Sequence, residues 1–247
     1  MSILAASQKG WDRRRFLRGA GAVTAALAGL ALGPRTARAQ DAAVRLDCPI
    51  LTFHEVASQA RFTQRIAPYL QDGYQPISLD QLYRLLTGED VPLWGKPFVI
   101  SLDDSLRSQR TNALPVLRDW QVPAVFSVMP DWRGDHVHSY MSNDDFAMLV
   151  NDYGMEVISH TLNHANLPRE RVRNNGDWQA EIVDSKRRLE EIVGGGYTVQ
   201  GFCYPFGAYD APTLDLVGQH YRIALTTQPG TVQTTAELLT LHRTSMT

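Results

Sequence analysis

The chain has 247 residues, 44% of them hydrophobic and 20% charged, with a formal net charge of −2. Its 24 Lys/Arg against 26 Asp/Glu leave no basic surplus, which argues against nucleic acid or anionic membrane surfaces as partners. The length suffices for one sizeable core and predicts a single domain behind a leader.

The first 39 residues read as an export signal, not as fold. DRRRFLR, Asp12 to Arg18, pairs arginines ahead of Phe16-Leu17. A small-residue apolar run follows from Gly19 to Leu32, and Ala37-Arg38-Ala39 supplies an A-x-A cleavage site. That layout is a twin-arginine signal peptide, and its apolar run is too short to span a bilayer core needing roughly 20 residues. Residues 1–39 hold seven Lys/Arg and one Asp, so their removal takes the net charge from −2 to −8. The expectation is a catalytic domain over residues 40–247, in the periplasm or secreted, with no stable membrane span after cleavage. Nothing in the sequence fixes the oligomeric state.

After the leader, apolar β-rich runs alternate with helical patterns. Cys48 precedes a strand at Ile50–Phe53, which ends at His54. Ser78 opens a helix, LDQLYRLL. A strand at Phe98–Leu102 ends on Asp103-Asp104, and another covers Ala124–Val128. The polar loop RGDHVHSY follows, whose His136 and His138 are expected to be solvated. Trp132 and Tyr140 flank that loop as candidates to line a sugar groove. Ser142 opens the helix NDDFAMLV, and a strand at Glu156–Ser159 is followed by His160 and His164. Leu167–Gly176 reads as a polar excursion bordering a groove. Asp177–Val193 is a helix with Trp178, Ile182, Leu189 and Val193 near one stripe, stopped by Gly194 to Gly196. A strand at Gly201–Tyr204 leads to Pro205-Phe206, and His220 looks like a helix end. The last strands are Ile223–Thr226 and, weakly, Leu239–Leu241, beside His242.

Strand–helix alternation of this kind predicts an α/β fold, a distorted barrel of about seven parallel strands. In such barrels chemistry sits at the C-terminal strand ends. His54, Asp103/Asp104, His160 and Pro205-Phe206 all fall there, each after a different strand. Taken singly, each has a bland reading: a hydrogen-bonded histidine, a helix N-cap, two histidines that merely share a helical face. Taken jointly, they supply three ligands for a hydrolytic metal site and one spare carboxylate to handle a proton. Cys48 and Cys203 read as two buried small hydrophobes in preference to a disulfide.

These segments resemble the polysaccharide deacetylases with a NodB-like domain, carbohydrate esterase family 4. Ser101-Leu102-Asp103-Asp104-Ser105 resembles the family's T-F-D-D-G, and His160-Thr161-Leu162-Asn163-His164 meets H-[ST]-x-x-H. Phe202 to Gly207 meets F-x-Y-P-[YF]-G, and Glu181 to Glu190 (EIVDSKRRLE) matches a helix that usually precedes that motif. LTFH at Leu51–His54 resembles the branch in which the catalytic histidine motif is permuted to the N-terminus. The resemblance spans residues 48 to 245. It implies Asp104, His160 and His164 as metal ligands, Asp103 as general base and His54 as general acid. It further implies Tyr204, Pro205 and Phe206 at the substrate, with the Phe206 N–H offered to an oxyanion. Zn²⁺ is the implied cofactor, with Co²⁺, Ni²⁺ or Mn²⁺ as alternatives. The implied reaction removes acetyl groups from an extracytoplasmic polysaccharide, foremost by N-deacetylation of N-acetylglucosamine residues. O-acetyl ester hydrolysis on xylan-like polymers and an inactive sugar-binding module are the alternatives, with a non-haem iron oxygenase far behind. Three departures stand out: Ser105 replaces a glycine, Leu102 replaces an aromatic, and the third motif lacks its usual arginine. Arg243 is the candidate to take that arginine's place.

Overall fold

Along each long strand, side chains alternate between two apolar layers, and this alternation builds the barrel. Ile50, Val99, Val125, Ile158, Cys203, Ile223, Leu225 and Leu241 point inward and form the interior layer. Leu51, Phe53, Ile100, Leu102, Phe126, Val157, Phe202 and Ala224 point outward, against the helices. Burying a large apolar side chain in either layer contributes about 1.5–3 kcal/mol. The computed structural model describes residues 43–132, 139–173 and 177–246. The signal segment, His136 and His138, and the end of the Leu167–Gly176 stretch lie outside the described residues.

Seven parallel strands close on themselves, as the alternation predicts. They are β2 (Ile50–Phe53), β4 (Lys96–Asp103), β5 (Val125–Val128), β6 (Glu156–Ser159), β7 (Gly201–Cys203), β8 (Ile223–Pro229) and β10 (Leu241–Ser245). Their order is β2-β10-β8-β7-β6-β5-β4, and pairing of Ile50–Phe53 with Val99–Leu102 shuts the ring. A short β3 (Tyr74–Pro76) adds to the start of β4. Arg45–Asp47 (β1) and Val232–Thr234 (β9) make a separate antiparallel pair.

The helices begin where capping chemistry places them. Ser78 forms a capping box with Gln81 at α2 (Leu79–Leu86), after α1 (Gln59–Gln71). Leu114–Trp120 (α3) continues a π-turn at Gln109–Ala113. Ser142 and Asp145 box the start of α4 (Asn143–Asn151), and Asp177 caps α6 (Trp178–Val193). Asp210 and Thr213 box α7 (Ala211–His220).

Two expectations change. The stretch from Leu167 opens as a helix, α5 (Leu167–Arg173), because the Asn166 side-chain oxygen accepts the Arg169 N–H at 3.2 Å and caps it. The last strand is Leu241–Ser245 instead of Leu239–Leu241. Leu238 and Leu239 pack on the two layers from a turn, and the inward position after Leu241 is a buried arginine. Cys48 and Cys203 are both buried and unpaired, as expected of small interior hydrophobes.

Candidate active site and metal centre

The interior layer turns polar toward the C-terminal ends of the strands. Thr52, Ser101, Asp103, Ser127, His160 and Arg243 continue the inward-facing rows and are all buried. Asp103 lies at the centre of this polar plug and is 1% exposed. Its Oδ1 accepts from Ser101 Oγ and Ser127 Oγ, each at 2.9 Å. Its Oδ2 accepts from Arg243 Nη1 at 2.5 Å and from Cys203 Sγ at 3.5 Å. Burial alone would raise this carboxyl, but Arg243, then His160 and more weakly His54, hold it below the ordinary carboxylate range. Asp103 is therefore held as an anion at neutral pH, with hydrogen-bond donors on both oxygens.

Asp104 has the opposite environment. Its Oδ1 is buried without a hydrogen-bond donor, yet His160 Nε2 lies 3.2 Å away and His164 Nε2 3.3 Å away. His160 Nδ1 is 2.7 Å from the Cys203 carbonyl oxygen, which can only accept, so Nδ1 carries a proton and Nε2 is the nitrogen turned toward Asp104. Two ligands about 2.0–2.1 Å from one tetrahedral ion sit roughly 3.3–3.4 Å apart, so the observed separations fit a shared divalent cation. One ligand atom from each of Asp104, His160 and His164 lies within 4.8 Å of the others, as do those of Asp103, His160 and Cys203. Only the first set offers an unsatisfied carboxylate oxygen, because Asp103 already has four donors. The two adjacent aspartates thus differ in both hydrogen bonding and burial, their side chains being 1% exposed at Asp103 and 27% at Asp104.

Backbone strain collects at the same mouth. Six described non-glycine residues have positive φ, and five of them are Asp104, Ser105, Thr161, His164 and Phe206. Left-handed backbone at such residues costs of order 1–3 kcal/mol each and persists only where surroundings enforce it. Ser105, standing where glycine was expected, has φ 56° and compensates with a bond glycine cannot make: its Oγ accepts the Met129 N–H at 2.9 Å. At Gly207, φ is 65° and a Cβ would collide with Thr227, so only glycine fits the turn after Phe206.

The remaining expected residues divide by exposure. Phe206 is 63% exposed, and its ring centroid lies 4.6 Å from that of His164. Trp132 lies edge-on to His164 at 6.5 Å and to Tyr140 at 6.0 Å, so an aromatic rim borders the histidines. Tyr204 and Pro205 are buried instead. Tyr204 packs between Phe202 and Tyr209, so its side chain supports the turn and cannot touch a polymer. His54 follows β2 beside the end of β4, with its carbonyl accepting from Gln109 Nε2 at 3.0 Å. The same Gln109 amide donates to the Asp103 carbonyl.

Sequence reasoning missed Ser101, Ser127 and Gln109. The two serines carry a usable signal, each following an apolar inward residue, Val99 or Val125, two positions earlier on its strand. Gln109 carries none, since it reaches the site only through a π-turn.

The family model for polysaccharide deacetylase matches residues 90–221, which include both aspartates, both site histidines and Phe206 but not His54 or Arg243. No curated protein matches in sequence. Solved structures share the fold. The Streptococcus pyogenes deacetylase PplD in complex with acetate is 24% identical, with TM-score 0.70 over 83% of this chain and 93% of that one. IcaB from Ammonifex degensii is 21% identical, with TM-score 0.70 over 81% and 92%. A polysaccharide deacetylase from Bacillus cereus is 23% identical, with TM-score 0.67 over 83% of this chain and 65% of that one, so the match spans about two-thirds of that protein.

Proposed function

The chain belongs to the polysaccharide deacetylase family, and from that premise we propose that it is a metal-dependent hydrolase removing N-acetyl groups from N-acetylglucosamine residues of an extracytoplasmic polysaccharide. The observation that carries this reading is the buried Asp104 Oδ1, without a donor and faced by two histidine nitrogens at 3.2 and 3.3 Å. Asp104, His160 and His164 would hold the ion, with Zn²⁺ first and Co²⁺, Ni²⁺ or Mn²⁺ as alternatives. When bound, such an ion would supply Lewis acidity, lowering the pKa of a bound water to about 7 and polarising an acetyl carbonyl.

The chain's own groups do the rest. Asp103, anionic and pinned by Arg243, Ser101 and Ser127, receives the proton that water loses as its oxygen adds to the acetyl carbon. The Phe206 N–H, on its left-handed turn, is offered to the carbonyl oxygen as negative charge develops there. His54 gives a proton to the nitrogen as the C–N bond breaks, and acetate and a free amine leave. An amine leaving group needs that proton more than an alcohol does, so the amide reaction depends on His54 more than ester hydrolysis would. The exposed Phe206 ring, with Trp132 and Tyr140, offers apolar faces for sugar rings.

The twin-arginine leader supports export to the periplasm or beyond. Arg13→Lys with Arg14→Lys should leave precursor in the cytoplasm, and normal export of that variant would overturn the route. Among the described residues no helix is long and apolar enough to cross a membrane. Acetate release from β-1,6- and β-1,4-linked N-acetylglucosamine polymers, peptidoglycan and acetylxylan tests the reaction. Release from the N-acetylated polymers is expected. Release from acetylxylan alone would replace the amidase reading with the esterase one.

A further inference from the structure

The helix EIVDSKRRLE is not used by the chemistry above, yet Glu181, Ser185, Lys186 and Glu190 each hold a partner outside it. Ser185 Oγ lies 2.7 Å from Ser159 Oγ, one residue before His160. Lys186 Nζ donates to the Val199 carbonyl, and Glu190 Oε1 accepts the Val199 N–H at 3.0 Å. These bonds fix α6 to the end of β6 and to the segment entering β7. With the helix so fixed, Glu181 in its first turn reaches the loop between the two candidate ligands. Glu181 Oε2 accepts the Leu162 N–H at 2.8 Å and the Asn163 N–H at 3.0 Å. Its Oε1 accepts from Asn163 Nδ2 at 3.2 Å.

That loop needs an external hold. It reverses between His160 and His164 through left-handed residues at both Thr161 (φ 65°) and His164 (φ 58°). Thr161 Oγ1 accepts the Ala165 N–H at 3.0 Å, and the Leu162 carbonyl accepts the Asp131 N–H at 3.2 Å. Glu181 alone engages two consecutive amides midway between the histidines, by charge-assisted bonds of the stronger kind. We infer that Glu181 is a positioning residue for the cation: its carboxylate sets the His160–His164 turn, so that both Nε2 atoms converge on Asp104 before any ion arrives. This rests on the metal-site reading above.

The test is Zn²⁺ affinity by competition with a chromophoric chelator, together with melting of the metal-free protein. Glu181→Ala removes the acceptor, and Glu181→Asp keeps the charge but withdraws it by one methylene. Both should weaken Zn²⁺ binding about 10–100-fold, the usual effect of losing an outer-shell partner, with the metal-free fold retained. Glu181→Gln keeps one acceptor oxygen but loses the charge, and should bind Zn²⁺ more tightly than Glu181→Ala and less tightly than wild type; affinity no better than that of the Ala variant would overturn the role of the two backbone N–H bonds. Wild-type affinity in the Ala or Asp variant would overturn the inference while leaving the metal site standing. Failure of both variants to fold would make Glu181 a folding residue and overturn it too. Absence of Zn²⁺ binding by the wild type would remove the metal-site reading itself, and this inference with it.

Discussion

Replacing Arg243 by Met isolates the group that keeps Asp103 charged. Arg243 is 4% exposed and donates to Asp103 Oδ2 at 2.5 Å, to the Thr226 carbonyl and, at 3.3 Å, to Ser101 Oγ. Removing one partner of a buried ion pair costs about 3–5 kcal/mol, because the other charge remains buried and uncompensated. For a domain of this size each kcal/mol is worth about 2–4 °C, so the melting temperature should fall by about 6–20 °C. The sign with pH is fixed by Asp103, whose folded carboxyl lies below its ordinary range. Its contribution is present above the unfolded carboxylate pKa of about 3.9 and is lost as pH falls through the lower folded value. The stability gap between wild type and Arg243→Met should therefore be full at neutral pH and close in acid. Without the guanidinium, burial dominates and Asp103 takes up a proton more readily, which moves the acid limb of the kcat/KM profile upward. Asp103→Asn in the Arg243→Met background should recover much of the stability and none of the activity. Melting curves and pH–rate profiles of the wild type and the two variants decide it. An Arg243→Met protein within about 1 kcal/mol of wild type and with an unmoved acid limb would refute the coupling.

His54→Ala should keep its metal and melting temperature. It should lose about 10²–10⁴-fold turnover on an N-acetyl substrate and far less on an activated aryl acetate, whose leaving group needs no proton. Equal losses on both would make His54 structural. At the opposite end of the barrel, Glu156 accepts the Leu79 and Asp80 N–H groups at 2.5 and 2.9 Å, and burial raises its pKa despite these bonds. A carboxyl held above its unfolded value stabilises most below about pH 4.3 and loses that contribution as pH rises through the folded value. Melting temperature measured across pH 4–7 should thus improve for Glu156→Gln relative to wild type as pH rises. A constant or shrinking difference would contradict the sign.

Strand ends and their chemical groups were legible because apolar runs stop abruptly at Asp103, His160 and Pro205. The closure of the ring was less so. β10 reads Leu241, His242, Arg243, and its inward arginine breaks the apolar alternation that marks other strands. Helix α1 was hidden for a similar reason, with only Phe62 and Ile66 buried and Pro68 in its last turns. At the site, the identity of the four chemical groups was legible, while the division of roles between the two aspartates came from the family resemblance and not from spacing. That distinction lies in donors from three other strands, Ser127, Cys203 and Arg243, which sequence spacing cannot bring together. The strain at Thr161 and His164 and the hold exerted by Glu181 were likewise invisible, since they depend on where α6 packs.

The account rests on the two neighbouring aspartates having different jobs. Bound Zn²⁺ and acetate release, measured side by side in Asp103→Asn and Asp104→Asn under chelator competition, test this most directly. The account predicts about one ion per chain and a roughly 10²–10⁴-fold loss of turnover in Asp103→Asn, and loss of the ion itself in Asp104→Asn. An Asp103→Asn protein that loses its ion while Asp104→Asn retains it would contradict the assignment.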